Sequence, residues 1–511
     1  MSDSSAVPDS LDQKGRDAAK RVIFLTVFLD LLGFGIIIPQ LAVYASKFGA
    51  TPAVVGVLAS TYSAMGFLFT PFWGRLSDRI GRRPVLLYSI FGTGLGYILF
   101  AISGSLPLLF AARIVDGITG GNIATAQAYL SDITPPHERS KTFGLFGAVF
   151  GVGFAIGPMI GALLSGLPGA WGGNLGVGLF TAVLSFINWG MALRRLPETL
   201  PEHVRRENVA RHQSSGEGFQ LINLHGFRRA FQLPGLKLII AISFFATVAF
   251  ATLQGTYTLF LITRYARPQV QNMMRANPQA AIKQARREHS EAAKNKVKMA
   301  VGADESASPM ETVGMNGKVA PYSRTMGGDI NPKKLGLPRA PHDLTWRGVE
   351  KSLVSPRSAQ LAAWIFASIG LTSLVVQGGL IGPLKKRIGE VPMVLVGTLL
   401  MALGLAIVPF PKSIAGEFPI MMLLAFGNSI AAPILTALVS ELSPEAERGE
   451  IIGVFQSVQS LGRIVGPIVG GLLFNYFSPG APYWAGAVIM FGSFLIARRL
   501  PSTHTSAPAT A

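Results

Sequence analysis

Residues 131–161 read SDITPPHERSKTFGLFGAVFGVGFAIGPMIG, and residues 440–470 read SELSPEAERGEIIGVFQSVQSLGRIVGPIVG. The two stretches align without a gap at an offset of 309 residues. Pro135 falls on Pro444, Arg139 on Arg448, Gly144 on Gly453, Gly157-Pro158 on Gly466-Pro467, and Gly161 on Gly470. A fainter echo places Gly74-Arg-Leu-Ser-Asp-Arg-Ile-Gly81 on Gly382-Pro-Leu-Lys-Lys-Arg-Ile-Gly389, at an offset of 308. Self-similarity over this distance is the mark of a duplicated unit, and internal repeats are common in membrane transporters.

Composition agrees with a membrane setting. Of 511 residues, 49% are hydrophobic and 14% charged, against about 25% charged in an ordinary soluble protein. Glycine is abundant at 58 residues, as in helices that pack closely in lipid. Cysteine is absent, which excludes disulfides, thiol-based metal sites and redox thiols. The polar stretch Met1–Lys20 has no apolar core before a small-residue cleavage site, so no cleaved signal peptide is expected. A net charge of +18 raises the question of nucleic acid. The basic residues sit in short loops between apolar runs, which is the positive-inside pattern of a membrane protein and not a nucleic-acid surface.

Apolar runs of about 20 residues, the length that crosses a bilayer, number twelve. The first six spans fall near 22–46, 53–74, 84–104, 107–131, 141–166 and 174–194. The second six fall near 236–263, 358–383, 392–410, 417–441, 450–475 and 481–498. The expected fold is an all-α multi-pass membrane protein of two pseudo-symmetric six-helix bundles, 22–195 and 236–498. A tail (1–21) precedes them, a central loop (196–235) joins them, and a second tail (499–511) follows. With the N-terminus in the cytoplasm, the inner segments collect most of the Lys and Arg, whereas the short outer loops hold only Lys47 and Lys412. Both termini are therefore expected inside, in a plasma or inner membrane. One segment departs from the rule. Residues 264–357, between spans 7 and 8, carry 17 Lys/Arg and 8 Asp/Glu yet fall on the outer side. Positive-inside is weak for long loops. The part from Val270 to Ala300 reads as a surface helix and the remainder as flexible coil. The segment is either an insertion without function, which is the simpler reading, or a docking arm for anionic lipid or a partner.

Several constellations stand out. Gly74-Arg-Leu-Ser-Asp-Arg-Ile-Gly-Arg-Arg-Pro84 joins spans 2 and 3. Gly74 and Gly81 permit tight turns and close approach, and Asp78 stands among Arg75, Arg79, Arg82 and Arg83. A solvated basic loop would read the same. Span 5 is studded with glycines, including Gly153 and Gly157, and Pro158 removes a backbone donor from its middle. Recurrence as Gly466-Pro467 favours a structural hinge in both halves. Asp132 with Arg139, and Glu441 with Arg448, share one acid–base spacing at matching inner ends. Four charged residues lie inside spans: Asp30 in LDLLGFGIIIPQ, Arg113 and Asp116 in span 4, and Arg463 in span 11. A charge there costs several kcal/mol unless paired or hydrated, so each is a functional candidate. Arg113 and Asp116, three apart, share a helix face and also suit a pair that only stabilises the helix. Neutral polar residues in the inner spans (Asn122, Gln127, Gln254, Tyr257, Gln377, Asn428, Gln456 and Gln459), with Phe34 and Phe455, suit an amphipathic organic ligand. For any single amide, an interhelical hydrogen bond serves equally.

Taken together, these residues resemble the major facilitator superfamily. Residues 74–84 resemble its loop 2–3 signature. Arg113-Ile-Val-Asp-Gly117, continuing to Gly120 and Gly121, resembles its span 4 signature. Gly147–Gly161 resembles the span 5 signature of the drug:proton antiporter branch. The run from Arg113 to Gly161 is similar to tetracycline-efflux-like members. The resemblance implies two six-helix bundles about a central cavity and alternating access. The chain is expected to function as a monomer, without cofactor or metal. Its cargo would be a small molecule and its driving ion the proton. It also implies that Asp78 braces the start of span 11, near Glu450–Gly453, when the cytoplasmic side closes. The second copy has Lys386 in its place, so that brace is one-sided. The acid–base pairs at Asp132/Arg139 and Glu441/Arg448 would form an inside gate. In one respect the chain departs: span 9 carries no carboxylate and span 8 no histidine, which speaks against tetracycline itself. The function expected is proton-driven export of small amphipathic compounds, not catalysis, since no nucleophile–base set, phosphate loop or metal cluster is visible. A gradient-coupled importer of a metabolite or sugar is the first alternative, and a non-transporting membrane sensor the second. Asp30 is the expected proton carrier, with Arg113 tuning it and Asp116 as rival.

The topology is open to a direct test. With no native cysteine, a single Cys at Ser306 is expected to react with an impermeant thiol reagent only from the side opposite both termini. Labelling from the termini side alone would reverse the orientation.

Overall fold

A computed structural model describes residues 13–135, 138–165, 167, 173–202, 205–206, 228, 230–233, 235–284, 346–444 and 448–500. Every apolar run carries helix, the one way a single apolar segment satisfies its own backbone in lipid. The first half comprises α1 (Gln13–Lys47), α2 (Pro52–Ile80), α3 (Arg82–Ala101), α4 (Leu106–Thr119), α5 (Asn122–Ile133), α6 (Arg139–Ser165) and α7 (Asn174–Arg195). In the second half, α8 (Leu236–Leu261) passes through a π-turn (Ile262–Ala266) into α9 (Arg267–Ala276). Next, α10 (Trp346–Val375) passes through a second π-turn (Val376–Leu380) into α11 (Ile381–Ile388). The chain ends with α12 (Glu390–Ile407), α13 (Ile414–Leu442), α14 (Arg448–Tyr476) and α15 (Ala481–Ala497). Among the described residues, nine helices are both long and apolar enough to cross a membrane.

Three of the expected spans differ in detail. Span 4 is two helices, α4 and α5, broken at Gly120-Gly121. The carbonyls freed at the break are taken up from outside the helix. Trp73 Nε1 donates to the Ile118 oxygen and Ser89 Oγ to the Thr119 oxygen. Spans 7 and 8 both run past their expected ends into the 264–357 segment, as α9 and the first turns of α10. The expected surface helix from Val270 begins as α9, but Val270 and Met274 are fully buried in the core. Residues 285–345, the rest of that segment, lie outside the described residues, as do most of the central loop and both tails.

The packing repeats as the sequence repeats. In the first half α1 packs on α6, α3 on α7, α3 on α4 and α2 on α4. In the second half the counterparts are α8 on α14, α12 on α15, α12 on α13 and α10 on α13. The halves meet through α2 against α14 and α6 against α10, which the duplication exchanges. The apolar core is divided unequally. On the face opposite the termini, one continuous cluster joins both halves, from Ile36, Val55 and Phe100 to Leu253, Phe366 and Phe474. On the termini face each half has its own cluster, around Val27, Leu86 and Tyr129 in one and Ile239, Leu438 and Phe455 in the other. The two bundles thus share one core at the far face and are separately packed at the other.

The far-face seal rests on backbone contact. A Cβ at Gly56 would stand 2.1 Å from the Pro467 carbonyl oxygen, and one at Gly471 2.5 Å from that of Pro52. Ser60 Oγ donates to the Ile464 oxygen at 2.7 Å across the same seam. Gly56→Leu forces α2 and α14 apart. A single Cys at Ala53 in that variant is expected to react several-fold faster with a maleimide, in detergent, than the same Cys beside Gly56. Equal rates would show that the seal does not depend on this contact.

Candidate functional site

The glycine–proline repeats set how near the inner helices stand. A Cβ at Gly157 would meet the Leu32 carbonyl oxygen of α1 at 2.8 Å, and one at Gly153 the Leu31 Cβ at 2.8 Å. The counterpart Gly466 faces the Val248 oxygen of α8 at 2.6 Å, and Thr252 Oγ1 donates to the Gly466 oxygen at 2.9 Å. Both prolines lie inside unbroken helices, Pro158 in α6 and Pro467 in α14. The structure therefore shows these positions as sites of close helix approach.

Close packing buries the charged pair of α4. Arg113 and Asp116 are each 2% exposed. Arg113 Nη1 lies 3.1 Å from Asp116 Oδ2. Gly96 of α3 makes room, since a Cβ there would stand 3.0 Å from the Asp116 Cβ. The guanidinium also lies over the Phe100 ring, 5.9 Å from its centroid, a cation–π arrangement. Arg113 Nε and Nη2 find no acceptor among the described residues. The pair is therefore only partly satisfied.

Asp30 of α1 is partly exposed and lies within electrostatic reach of Asp116. The helix break places Asn122 at the first residue of α5. Its Oδ1 accepts from the Ile123 N–H at 2.9 Å, which leaves the amide N–H₂ to donate to the Asp30 carboxylate. Phe34, one helical turn along α1, packs its ring 4.9 Å from that of Tyr62 on α2. The Tyr62 hydroxyl lies within electrostatic reach of Asp30, Arg113, Asp116 and, from the other bundle, Arg463. Four of the intramembrane residues singled out in the sequence are thus brought around one tyrosine that was not.

Among the neutral candidates, Gln127, Gln254, Gln377 and Asn428 are half-buried and Gln456 is exposed. Gln459 donates to Ser243 Oγ of α8 at 3.1 Å, an interhelical bond. Two expected ligand contacts are corrected. Phe455 is 1% exposed and belongs to the apolar core of the second bundle. Tyr257 is fully buried and donates to Glu417 Oε2 at 3.0 Å. Glu417, in the first turn of α13, was read in the sequence as a span end and not as a site. It is 0% exposed, and Tyr265 also donates to its Oε1 at 2.6 Å. The π-turn explains the geometry. It adds one residue to the helical count, so Tyr265 stands over Tyr257 as if about seven residues on, two turns along one face. Each phenol bond to a carboxylate contributes about 1.5–3 kcal/mol, which offsets much of the several kcal/mol that burying such a group costs.

At the termini face, α3 begins on a carboxylate. Glu198 accepts from the backbone N–H of Arg82 at 2.9 Å and of Arg83 at 3.1 Å, the arrangement a helix N-terminus favours. Gly81 fits there for two reasons. Its φ is +106°, and a Cβ would stand within contact distance of the same carboxylate. Gly74 has open space around it, so the close approach expected there is absent. Arg82 joins Asp78 (2.5 Å) to Asp132 (3.1 Å), and Thr199 Oγ1 also donates to Asp132 at 3.2 Å. Arg83 reaches the Leu193 oxygen at 2.8 Å, and Arg79 is exposed. Asp132 is thus held by Arg82. The Arg139 and Arg448 side chains, its expected partner and that of Glu441, lie outside the described residues. In the second half Lys385 pairs with Glu390 and lies 3.7 Å from Glu441. Both halves therefore carry an acid–base–acid triplet. The base is the first residue of α3 in one and lies in the last turn of α11 in the other. With Lys385 and Glu441 about half exposed, their pairing is worth at most about 1 kcal/mol.

Comparison with known proteins places this geometry. The model of the Major Facilitator Superfamily matches residues 23–274 and 343–511. The chain is 28% identical to the class C tetracycline resistance protein of Escherichia coli over 95% of its own length and 96% of that protein. It is 27% identical to the quinolone resistance protein NorA of Staphylococcus aureus, over 25% of this chain and 33% of NorA. The crystal structure of the human organic anion transporter MFSD10 superposes with a TM-score of 0.58 at 20% identity, covering 94% of this chain and 99% of that one; at that identity the likeness speaks for the fold alone. The family match spans most of the chain on both sides of the segment between α9 and α10, and the protein is a member of the Major Facilitator Superfamily.

Proposed function

We propose that the protein exports small amphipathic organic compounds in exchange for protons, by alternating access of the space between its two bundles, with both termini in the cytoplasm. The observation that supports this reading is Asp30. It is a part-exposed carboxylate of α1, hydrogen-bonded to Asn122 and within electrostatic reach of Asp116 in the half-satisfied pair Arg113–Asp116. A group that exchanges protons must be charged in one state and neutral in another. In this reading Arg113, whose Nε and Nη2 find no acceptor among the described residues, turns toward Asp30 in one state and away from it in the other. Asp30 then carries the proton and Arg113 sets when it leaves. The similarity to tetracycline and quinolone resistance proteins supports the direction, outward, and the class of cargo.

The same reading gives the termini-face charges a role. Asp78 braces the start of α14, around Glu450–Gly453, when that face closes, and the acid–base–acid triplets hold the helix ends between such steps. A contact made in one state only shifts the balance of states when it is removed. Gly157-Pro158 and Gly466-Pro467 are then the points about which the bundles rock.

Two outcomes check these roles. In proteoliposomes with an imposed pH difference, Asp30→Asn should abolish uphill efflux while substrate exchange at equal pH partly survives. If that variant still concentrates substrate in step with the pH gradient, Asp30 is not the carrier and Asp116 takes its place. Asp78→Asn should raise the thiol reactivity of a Cys at the termini-face mouth, such as one at Gln456, with substrate affinity little changed. Unaltered reactivity there would remove the brace.

A further inference from the structure

Arg463 stands near the middle of α14, and the helix divides into four stripes around it. Gln459, Gly462, Gly466 and Gly470 face α8, through the Gln459–Ser243 bond and the close glycine contacts. Ile464, Pro467 and Gly471 meet α2 at the far-face seam. Leu461, Val465, Val469 and Leu472 are exposed apolar residues spaced for a lipid-facing stripe. Gln456, Ser460 and Arg463, at i, i+4 and i+7, form the remaining stripe opposite the lipid side. Arg463 is exposed, so its exposure is to the space between the bundles and not to lipid. Its Nη2 donates to Ser460 Oγ at 2.8 Å. Among the described residues no carboxylate lies within ion-pair distance of it. Across the space stand the Phe34–Tyr62 ring pair and, beyond it, Asp30.

A guanidinium within a membrane requires water or an anion, and its planar fork suits two anionic oxygens at once. We propose that Arg463 receives an anionic group of the transported compound, which is therefore an aromatic zwitterion. Its carboxylate or comparable oxyanion sits on Arg463, its flat body lies against Phe34 and Tyr62, and its cationic group points to Asp30. This rests on the exporter reading above and narrows its cargo. It also supplies a reason for exchange, since a cation and a proton cannot both neutralise one carboxylate.

The test uses norfloxacin, a fluorescent aromatic zwitterion, and its methyl ester, which keeps the amine and lacks the carboxylate. Binding is measured by fluorescence anisotropy on the whole protein in nanodiscs. Wild type is expected to prefer norfloxacin. Arg463→Gln should weaken norfloxacin by about tenfold or more while changing the ester by less than about twofold. Arg463→Lys, which keeps the charge but loses the fork, should fall between. A matching thermal midpoint for the Lys variant separates lost recognition from lost folding. The anion site is overturned if wild type binds neither probe, if it does not prefer the acid, or if Arg463→Gln weakens both probes alike. Transport of the ester under a pH gradient is scored separately. If the ester is pumped but Arg463→Gln weakens both probes alike, the export reading stands and the anion site falls. If discrimination is found and neither probe moves under the gradient, the site stands and the export reading falls.

Discussion

Everything between the two bundles depends on how closely α2 and α14 approach at Gly56 and Gly471. Side chains cannot fit where a backbone oxygen stands 2.1 Å from the position a Cβ would take. The far face is therefore closed by main chain against main chain, with an apolar core wrapped around the contact. Apolar side chains supply little driving force between helices in lipid, so close van der Waals contact and a few polar bonds have to hold the seam. Ser60 to Ile464 is one of those bonds. With the far face joined and the termini face packed as two separate clusters, charged residues of both halves come within electrostatic reach of Tyr62.

These charges are unequally satisfied. Arg113 and Asp116 are buried together, yet two guanidinium N–H groups remain uncommitted. Asp30 has an amide partner and, among the described residues, no guanidinium of its own. Arg463, on the other bundle, has only a serine hydroxyl among the described residues. Glu417 is the contrasting case. It is as deeply buried as any of them, but two phenols bind its two oxygens. A carboxylate satisfied in this way ties α13 to α8, whereas a half-satisfied group is free to change partners. Glu417 and the Arg113–Asp116 pair thus differ in hydrogen bonding rather than in burial.

Much of this was readable in the chain. The repeated stretches at 131–161 and 440–470 foretold two duplicated halves, and the apolar runs foretold the helices. The break in span 4 carried a sequence signal in Gly120-Gly121. Its consequence did not, because Trp73 and Ser89, which take up the freed carbonyls, come from other helices. Asp132 was paired with the nearest base along the chain, while the bundle offers it Arg82. Tyr257 and Phe455 read as ligand contacts because they are large and stand among polar residues. The packing turns both into the core.

By itself the sequence determined the order of the apolar runs that carry helix, their duplication, and the identity of the charged residues within them. Those follow from local physics: the length a bilayer requires, and the high cost of a charge inside it. Tertiary structure alone decided which neighbour each helix face meets. The helical period fixes which residues share a face, but not whether that face turns to lipid, to another helix or to the central space. For this reason Glu417 became a satisfied anchor and Arg463 an exposed guanidinium, although the sequence presents both as charges at apolar helices.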